Sequence, residues 1–209
     1  MTRTDRRPRR RLDPEQRRAT ILDAAREAFA QAPYEAVSVA GIAAAADSSE
    51  ALVHRYFASK GVLYLAVLQE SFDELLTRQV AADTALGSRA APRLRLATSI
   101  EVYLEVISNS PVGWAAPLRN PHDGFPAAAA LRAQARERYV DLLRGILAVT
   151  PDQPRDHALY GYLGFLDAAC LSWVAAGCPA DQRHPLVEMA VAALAGALDA
   201  VGTAHALSR

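Results

Sequence analysis

The amino-acid sequence predicts an all-α fold, and three observations carry that prediction. Alanine is very frequent, while Gly and Pro supply only 11 and 12 of 209 residues; alanine loses no side-chain entropy in a helix. β-Branched residues do not form the alternating runs of a half-buried strand. Apolar residues recur instead at spacings of three and four, in segments bounded by capping residues and prolines. Hydrophobic residues reach 51%, enough for one large core or two small ones.

The elements follow in order. The first dozen residues, MTRTDRRPRRRL, read as a disordered basic arm, 1–12. Residues 1–18 hold eight Arg against three acidic residues, a net of +5, although the whole chain is neutral. A basic front on a neutral chain points to a polyanion contact there. Asp13-Pro14-Glu15-Gln16 then predicts a helix start: a cap, a proline at the first position and a capping-box glutamine. Ile21, Leu22, Ala25, Ala28 and Phe29 carry this helix to about residue 32, before Pro33. Ser38 caps a short second helix whose buried side is Val39, Ile42, Ala43 and Ala46. Asp47-Ser48 makes a tight turn, and Ser49 caps another short helix over about 50–57. Ser59 caps a long helix from Lys60 to about 85, with Leu63, Val67, Phe72, Leu76 and Val80 as its apolar positions. Further helices are expected over about 90–109, 126–149, 155–177 and 184–207. They are separated by Ser110-Pro111, the loop from Pro117 to Pro126, residues 150–154 and Gly177-Cys178-Pro179.

Two short capped helices across a tight turn fit a helix-turn-helix, in which the second helix enters the major groove by its N-terminus. Residues just after its cap must be small or polar, and Ser49, Glu50 and Ala51 are. Val53 and Phe57 face inward at this spacing, and His54 and Arg55 face outward. Of 23 basic side chains 22 are Arg, and the single Lys is Lys60. It opens the long helix, where free N–H groups favour an anion and a compact ammonium suits one phosphate; otherwise it is a chance survivor on a solvated helix start.

Residues 38–63, SVAGIAAAADSSEALVHRYFASKGVL, resemble the DNA-binding motif of the TetR family of transcriptional regulators. Ser38, Ile42, Ala43, Ala46, Ser49, Tyr56, Phe57, Ser59, Lys60 and Leu63 match the family pattern, as does Ile21-Leu22-Asp23-Ala24-Ala25 with Phe29. The resemblance covers roughly residues 15–70. It implies that Ser38 and Ser49 hold phosphates, that Glu50 and Ala51 meet base edges, and that His54, Arg55, Tyr56 and Lys60 contact phosphates or nearby bases. Tyr56 could equally serve packing beside Phe57. Several positions depart from the pattern. Asp47 replaces the turn glycine, which Asp tolerates through its access to the left-handed region. Ser48 replaces a valine, His54 a tyrosine, Pro33 a glycine, and Ala40 a common basic residue. Glu50 either accepts from cytosine N4 or only complements the helix dipole. Arg6, Arg7, Arg9, Arg10 and Arg11 either follow a narrow minor groove or add non-specific affinity.

The resemblance further implies a helical C-terminal domain that binds a small effector and dimerises, giving three parts: 1–12, a DNA-binding domain at 13–60 and an effector-binding and dimerisation domain at 61–209. The last two helices are rich in Ala and apolar around much of their circumference, as a four-helix interface between two copies, or a large internal core, requires. Tyr103, Trp114, Phe125, Tyr139, Tyr162, Phe165 and Trp173 are candidate walls of an effector pocket, although aromatics at helical spacing also make plain core. The loop from Pro117 to Pro126 could gate that pocket.

Enzyme chemistry has little support. His122, His157, His184 and His205 are scattered without a metal-ligand cluster or activated nucleophile, and no cofactor motif occurs. Cys170 and Cys178 read as free thiols in the cytoplasm. The longest charge-free apolar run, Met189 to Leu198, is too short to span a bilayer. The reading is therefore a homodimeric, ligand-responsive regulator, a repressor released from a palindromic operator on double-stranded DNA by a small-molecule effector. Two alternatives stand beside it: an effector-independent architectural DNA-binding protein on the same fold, and a helical protein that does not bind DNA.

Overall fold

Helices occupy nearly all of the described residues, and no strand occurs among them. The computed structural model describes residues 13–119, 125, 127–203 and 207; the basic arm and the centre of the expected gating loop lie outside them. The first helix, α1 (Pro14–Gln31), starts at the predicted proline. The expected capping box does not form: the Asp13 side chain makes no cap bond. The start rests instead on the proline's fixed φ and on the Asp13 carbonyl, which accepts from Arg17 N at 2.9 Å.

The next three starts follow the expected serine caps. Ser38 Oγ accepts from Gly41 N at 3.0 Å and opens α2 (Val39–Ala45). Ser49 Oγ accepts from Leu52 N at 3.2 Å and opens α3 (Glu50–Tyr56). Ser59 Oγ accepts from Val62 N at 3.2 Å and opens α4 (Lys60–Leu86). Between α2 and α3, Asp47 takes φ 45°, the left-handed conformation expected where the family has glycine. A 3-10 turn at Tyr34–Ala36, which helical spacing did not reveal, joins α1 to α2.

The remaining helices are α5 (Pro92–Asn109), α6 (Pro111–Arg119), α7 (Ala127–Leu147), α8 (Gln153–Ala175) and α9 (Arg183–Ala200). Three expectations are corrected here. α5 ends at Asn109, as Ser110-Pro111 predicts, but Pro111 also begins α6, because a proline's missing N–H has no partner to lose in a helix's first turn, and Pro117 lies inside α6. Toward the C-terminal end of α4 the buried residue is Gln79, whose Nε2 donates to the Ser99 carbonyl at 3.1 Å, while Val80 is exposed. The last helix stops at Ala200, followed by Gly202 at φ 75°.

Two hydrophobic cores result. Ile21, Leu22, Ala25 and Phe29 of α1 meet Ile42, Ala43, Val53, Phe57 and the first turns of α4. The larger core joins α5, α7, α8 and α9 around Leu104, Leu143, Leu159, Leu166 and Leu194. α4 belongs to the first core at Leu63, Tyr64 and Val67 and runs on against α5 and α7. By length and composition α8 could cross a membrane, which the sequence reading did not anticipate, yet its buried residues pack into the larger core. Cys170 and Cys178 are free thiols; burial pushes the Cys170 thiol up to about 12.

Candidate nucleic-acid interface and ligand cavity

α3 presents a closed back and an open front. Val53 and Phe57 are 1% and 2% exposed, which anchors the helix, while Ser49, Glu50, Ala51, His54 and Arg55 are exposed. Ser38 is exposed at the start of α2. Both serine Oγ atoms accept from backbone N–H groups, which leaves each O–H free to donate to an incoming oxyanion. Tyr56 is half-buried and packs against the first core, so its ring is committed to packing.

The structure gives Lys60 partners that the sequence did not suggest. Its Nζ donates to the Tyr34 carbonyl at 2.8 Å and the Val37 carbonyl at 2.9 Å, and lies 4.2 Å from the Tyr34 ring centroid. A compact ammonium with three rotatable donors fits that seat; a planar guanidinium would not. Lys60 therefore fastens the start of α4 to the α1–α2 connection. Lys60→Met keeps the stem and removes the ammonium, and is expected to cost about 1–3 kcal/mol in urea unfolding. Unchanged unfolding with a shallower salt dependence of DNA binding would instead identify Lys60 as a phosphate ligand.

Behind the helix-turn-helix of α2 and α3, the reading head of the expected DNA contact, a cavity of about 180 Å³ opens between α4, α5, α6, α7 and α8. Its apolar walls include Leu68, Phe72, Leu76, Trp114, Tyr139 and Leu166. One end is polar. Trp114 Nε1 donates to Tyr103 Oη at 3.0 Å, Tyr103 Oη donates to Asp167 at 3.3 Å, and Arg136 pairs with the same carboxylate. Burial pushes the Asp167 carboxyl up, and Arg136 and Tyr103 oppose the shift. Arg132 and Arg138 also line the space.

Of the aromatic candidates, Tyr103, Trp114 and Tyr139 line this cavity. Tyr162 is buried behind it, in the larger core. Trp173 is also core, and its Nε1 donates to the Pro179 carbonyl at 3.0 Å. Phe165 is 39% exposed on the outer side of α8. Phe125 belongs to the first core, with its ring 6.3 Å from that of Tyr34 and against Gly61. Sequence reasoning missed the polar members, Arg132, Arg136 and Asp167. They come from α7 and α8, and no periodicity marks a charge that faces inward.

The cavity and the reading head share structure. α6 carries Trp114, Pro117 and Leu118 into the cavity, while Gly113 rests on α1: a Cβ there would stand 2.4 Å from the Phe29 carbonyl oxygen. At the start of α7, Ala128 is buried in the first core, and Arg132 Nη2 donates to Tyr64 Oη at 3.5 Å. On the far side, α8 and α9 expose a face that is small or apolar. It comprises Tyr160, Gly161, Gly164, Phe165 and Ala168 on α8, with Met189, Ala192 and Gly196 on α9.

Comparison with known proteins agrees with this arrangement. Residues 21–67 match the family described as bacterial regulatory proteins, tetR family. The HTH-type transcriptional activator FasR of Mycolicibacterium smegmatis is 31% identical over 140 residues, which cover 66% of this chain and 62% of FasR. The matched stretch thus spans less than two thirds of that relative. A tetR-family regulator from Streptomyces coelicolor superposes with a TM-score of 0.74 at 24% identity, covering 92% of this chain and 83% of that one. The fold recurs in the regulator FadR of Bacillus subtilis in complex with stearoyl-CoA. The TM-score is 0.63 at 18% identity, with 84% and 95% of the two chains covered. It also recurs in a regulator from Saccharomonospora viridis in complex with choline, with a TM-score of 0.68 at 22% identity and 84% and 94% covered.

Proposed function

The chain belongs to the TetR family of bacterial regulatory proteins, and from that premise we propose that it is a ligand-responsive repressor, a homodimer that releases a palindromic operator when a small molecule enters the cavity. One observation carries the switch: α6 lines the cavity and also packs against α1, with Gly113 at the close approach. A molecule that displaces Trp114 or Leu118 moves α6, and α6 cannot move toward α1 without carrying it. The reading heads then change separation and no longer match two major grooves one helical turn apart. The ligand must bind the DNA-incompetent arrangement more tightly, or nothing switches.

On DNA, Ser38 and Ser49 donate to phosphates, Ala51 meets a base edge or thymine methyl, and His54 and Arg55 hold the backbone. Glu50 accepts from cytosine N4 or complements the dipole of α3. Lys60 acts mainly by seating α4, with Tyr56 packing behind it. The exposed face of α8 and α9 meets its copy across a two-fold axis. Such a protein works in the cytoplasm, where the operator is. Repression is the reading because the dimer is the DNA-bound state without ligand; an operator placed upstream of a promoter would make the same dimer an activator.

Fluorescence anisotropy with DNA from upstream of its own gene, against a scrambled duplex over a salt series, tests the reading. Specific binding with a steep salt slope is expected, because two heads neutralise several phosphates. Equal, weak binding to both duplexes would favour the architectural alternative. An operator complex indifferent to every ligand that fills the cavity would remove the switch.

A further inference from the structure

We propose that the effector is a small organic anion, a carboxylate on an apolar or aromatic body about one ring in size, and that Arg132 reads its charge. This rests on the cavity being the effector site. Four charged side chains line the space: Arg132, Arg136, Arg138 and Asp167. Arg136 is committed to Asp167. Arg138 is committed to Asp73 at 2.5 Å. Arg132 has no carboxylate partner among the described residues; its polar contact is the long one to Tyr64 Oη. The lining, which also holds Phe72, Leu76 and Trp114, therefore keeps one positive charge without a carboxylate partner among the described residues.

A half-buried cation without a counter-charge is unfavourable, and an incoming carboxylate relieves it with a two-pronged, charge-assisted contact. A cationic ligand has no comparable partner. Asp167 stands beside aromatic rings, but Arg136 and Tyr103 already cover its charge. Size narrows the class further. The cavity holds about 180 Å³, and a cavity of roughly 150 Å³ accepts benzene. One ring or a short branched chain fits within that space.

Arg132 also stands where the charge can be felt. One turn before it on α7, Ala128 is buried in the reading-head core, and the Tyr64 ring that Arg132 touches belongs to the same core. Drawing the guanidinium into the cavity removes that contact. Charge recognition and release of the reading head then share one residue.

Benzoate, benzamide and benzyltrimethylammonium test the inference, with Trp114 emission as the readout on the full chain. Trp173, the other tryptophan, stays in the core as a constant background. Benzoate is expected to bind about tenfold or more tighter than benzamide. Arg132→Gln should reduce benzoate to the level of benzamide while leaving benzamide unchanged. Arg132→Lys should keep part of the preference, and equal thermal melting of the variants would show that the fold is intact. Asp167→Asn frees Arg136 and removes a like charge, so benzoate should bind several-fold tighter. Equal affinities for benzoate and benzamide, tighter binding of the ammonium, an unaffected Arg132→Gln, or no binding of any probe at roughly 10 mM would each overturn the inference. Failure of the wider reading looks different: benzoate would bind through Arg132 and the operator complex would persist.

Discussion

A Gly113→Ala variant is expected to melt about 4–8 °C below the wild type and to bind operator weakly even without ligand. The reason is local. A Cβ at Gly113 would stand 2.4 Å from the Phe29 carbonyl oxygen and 2.9 Å from Ala30 Cα. Both neighbours are backbone, so no side chain can turn aside, and α6 must move away from α1. Overpacking of this kind costs about 3 kcal/mol or more, which exceeds the ~1 kcal/mol that alanine gains over glycine in a helix. In a chain of this size each kcal/mol moves the melting temperature by about 2–4 °C. The added Cβ wedges α1 and α6 apart and so displaces α1, the helix that the proposed ligand would also shift, and operator affinity should fall without a ligand. Gly145→Ala is the control: nothing lies within 4 Å of its added Cβ, and it should be neutral or stabilising by up to ~1 kcal/mol. Thermal melts and anisotropy on both variants decide the matter. A Gly113→Ala protein that melts and binds DNA like the wild type would show that α6 can leave α1 freely.

The reading head was legible in the sequence because its signals are local. Ser38, Ser49 and Ser59 each cap the N–H three residues on, and Asp47 turns left-handed between its own neighbours. Val53 and Phe57 reach the core because four residues make about one turn. What escaped the sequence depends on distant partners. The partners of Lys60 are carbonyls 23 and 26 residues upstream, and a phosphate was the only anion its neighbourhood suggested. Asp167 meets Arg136 from another helix, and each looks like an ordinary surface charge in its own segment. Among the aromatics, spacing alone does not separate a cavity wall such as Trp114 from a core residue such as Trp173 or an outward one such as Phe165. α6 was hidden because Pro111 and Pro117 read as punctuation, although Pro111, in the first helical turn, removes no hydrogen bond. The last two helices were expected to be apolar around much of their circumference. The structure divides that apolarity: Leu186, Val187, Ala190, Val191, Leu194 and Leu198 fill the chain's own core, and mostly small residues remain outside.

That division makes Gly164→Glu the sharpest test of the dimer. Gly164 is exposed, and nothing lies within 4 Å of a Cβ added there, so the folded monomer can accept the substitution. Its neighbours on the outer face include large apolar side chains: Tyr160 and Phe165 on α8 are 41% and 39% exposed, and Met189 on α9 is 54% exposed. Large apolar side chains kept at the surface beside glycine and alanine suit a close helix-to-helix contact. In the proposed dimer a two-fold axis through this face brings the new carboxylate near its own copy. The variant is expected to sediment as a monomer with unchanged helix content. Its affinity for the full operator should fall by about 10²–10³-fold, because the second reading head is no longer delivered by the first. Affinity for an isolated half-site should stay as it was, since α3 is far along the chain and its core is untouched. The pairing of those results is what matters. Loss on the full operator with an intact half-site isolates dimerisation, whereas loss on both would mean that the substitution has disturbed the reading head. A variant that remains a dimer and holds the full operator would move the interface off α8 and α9.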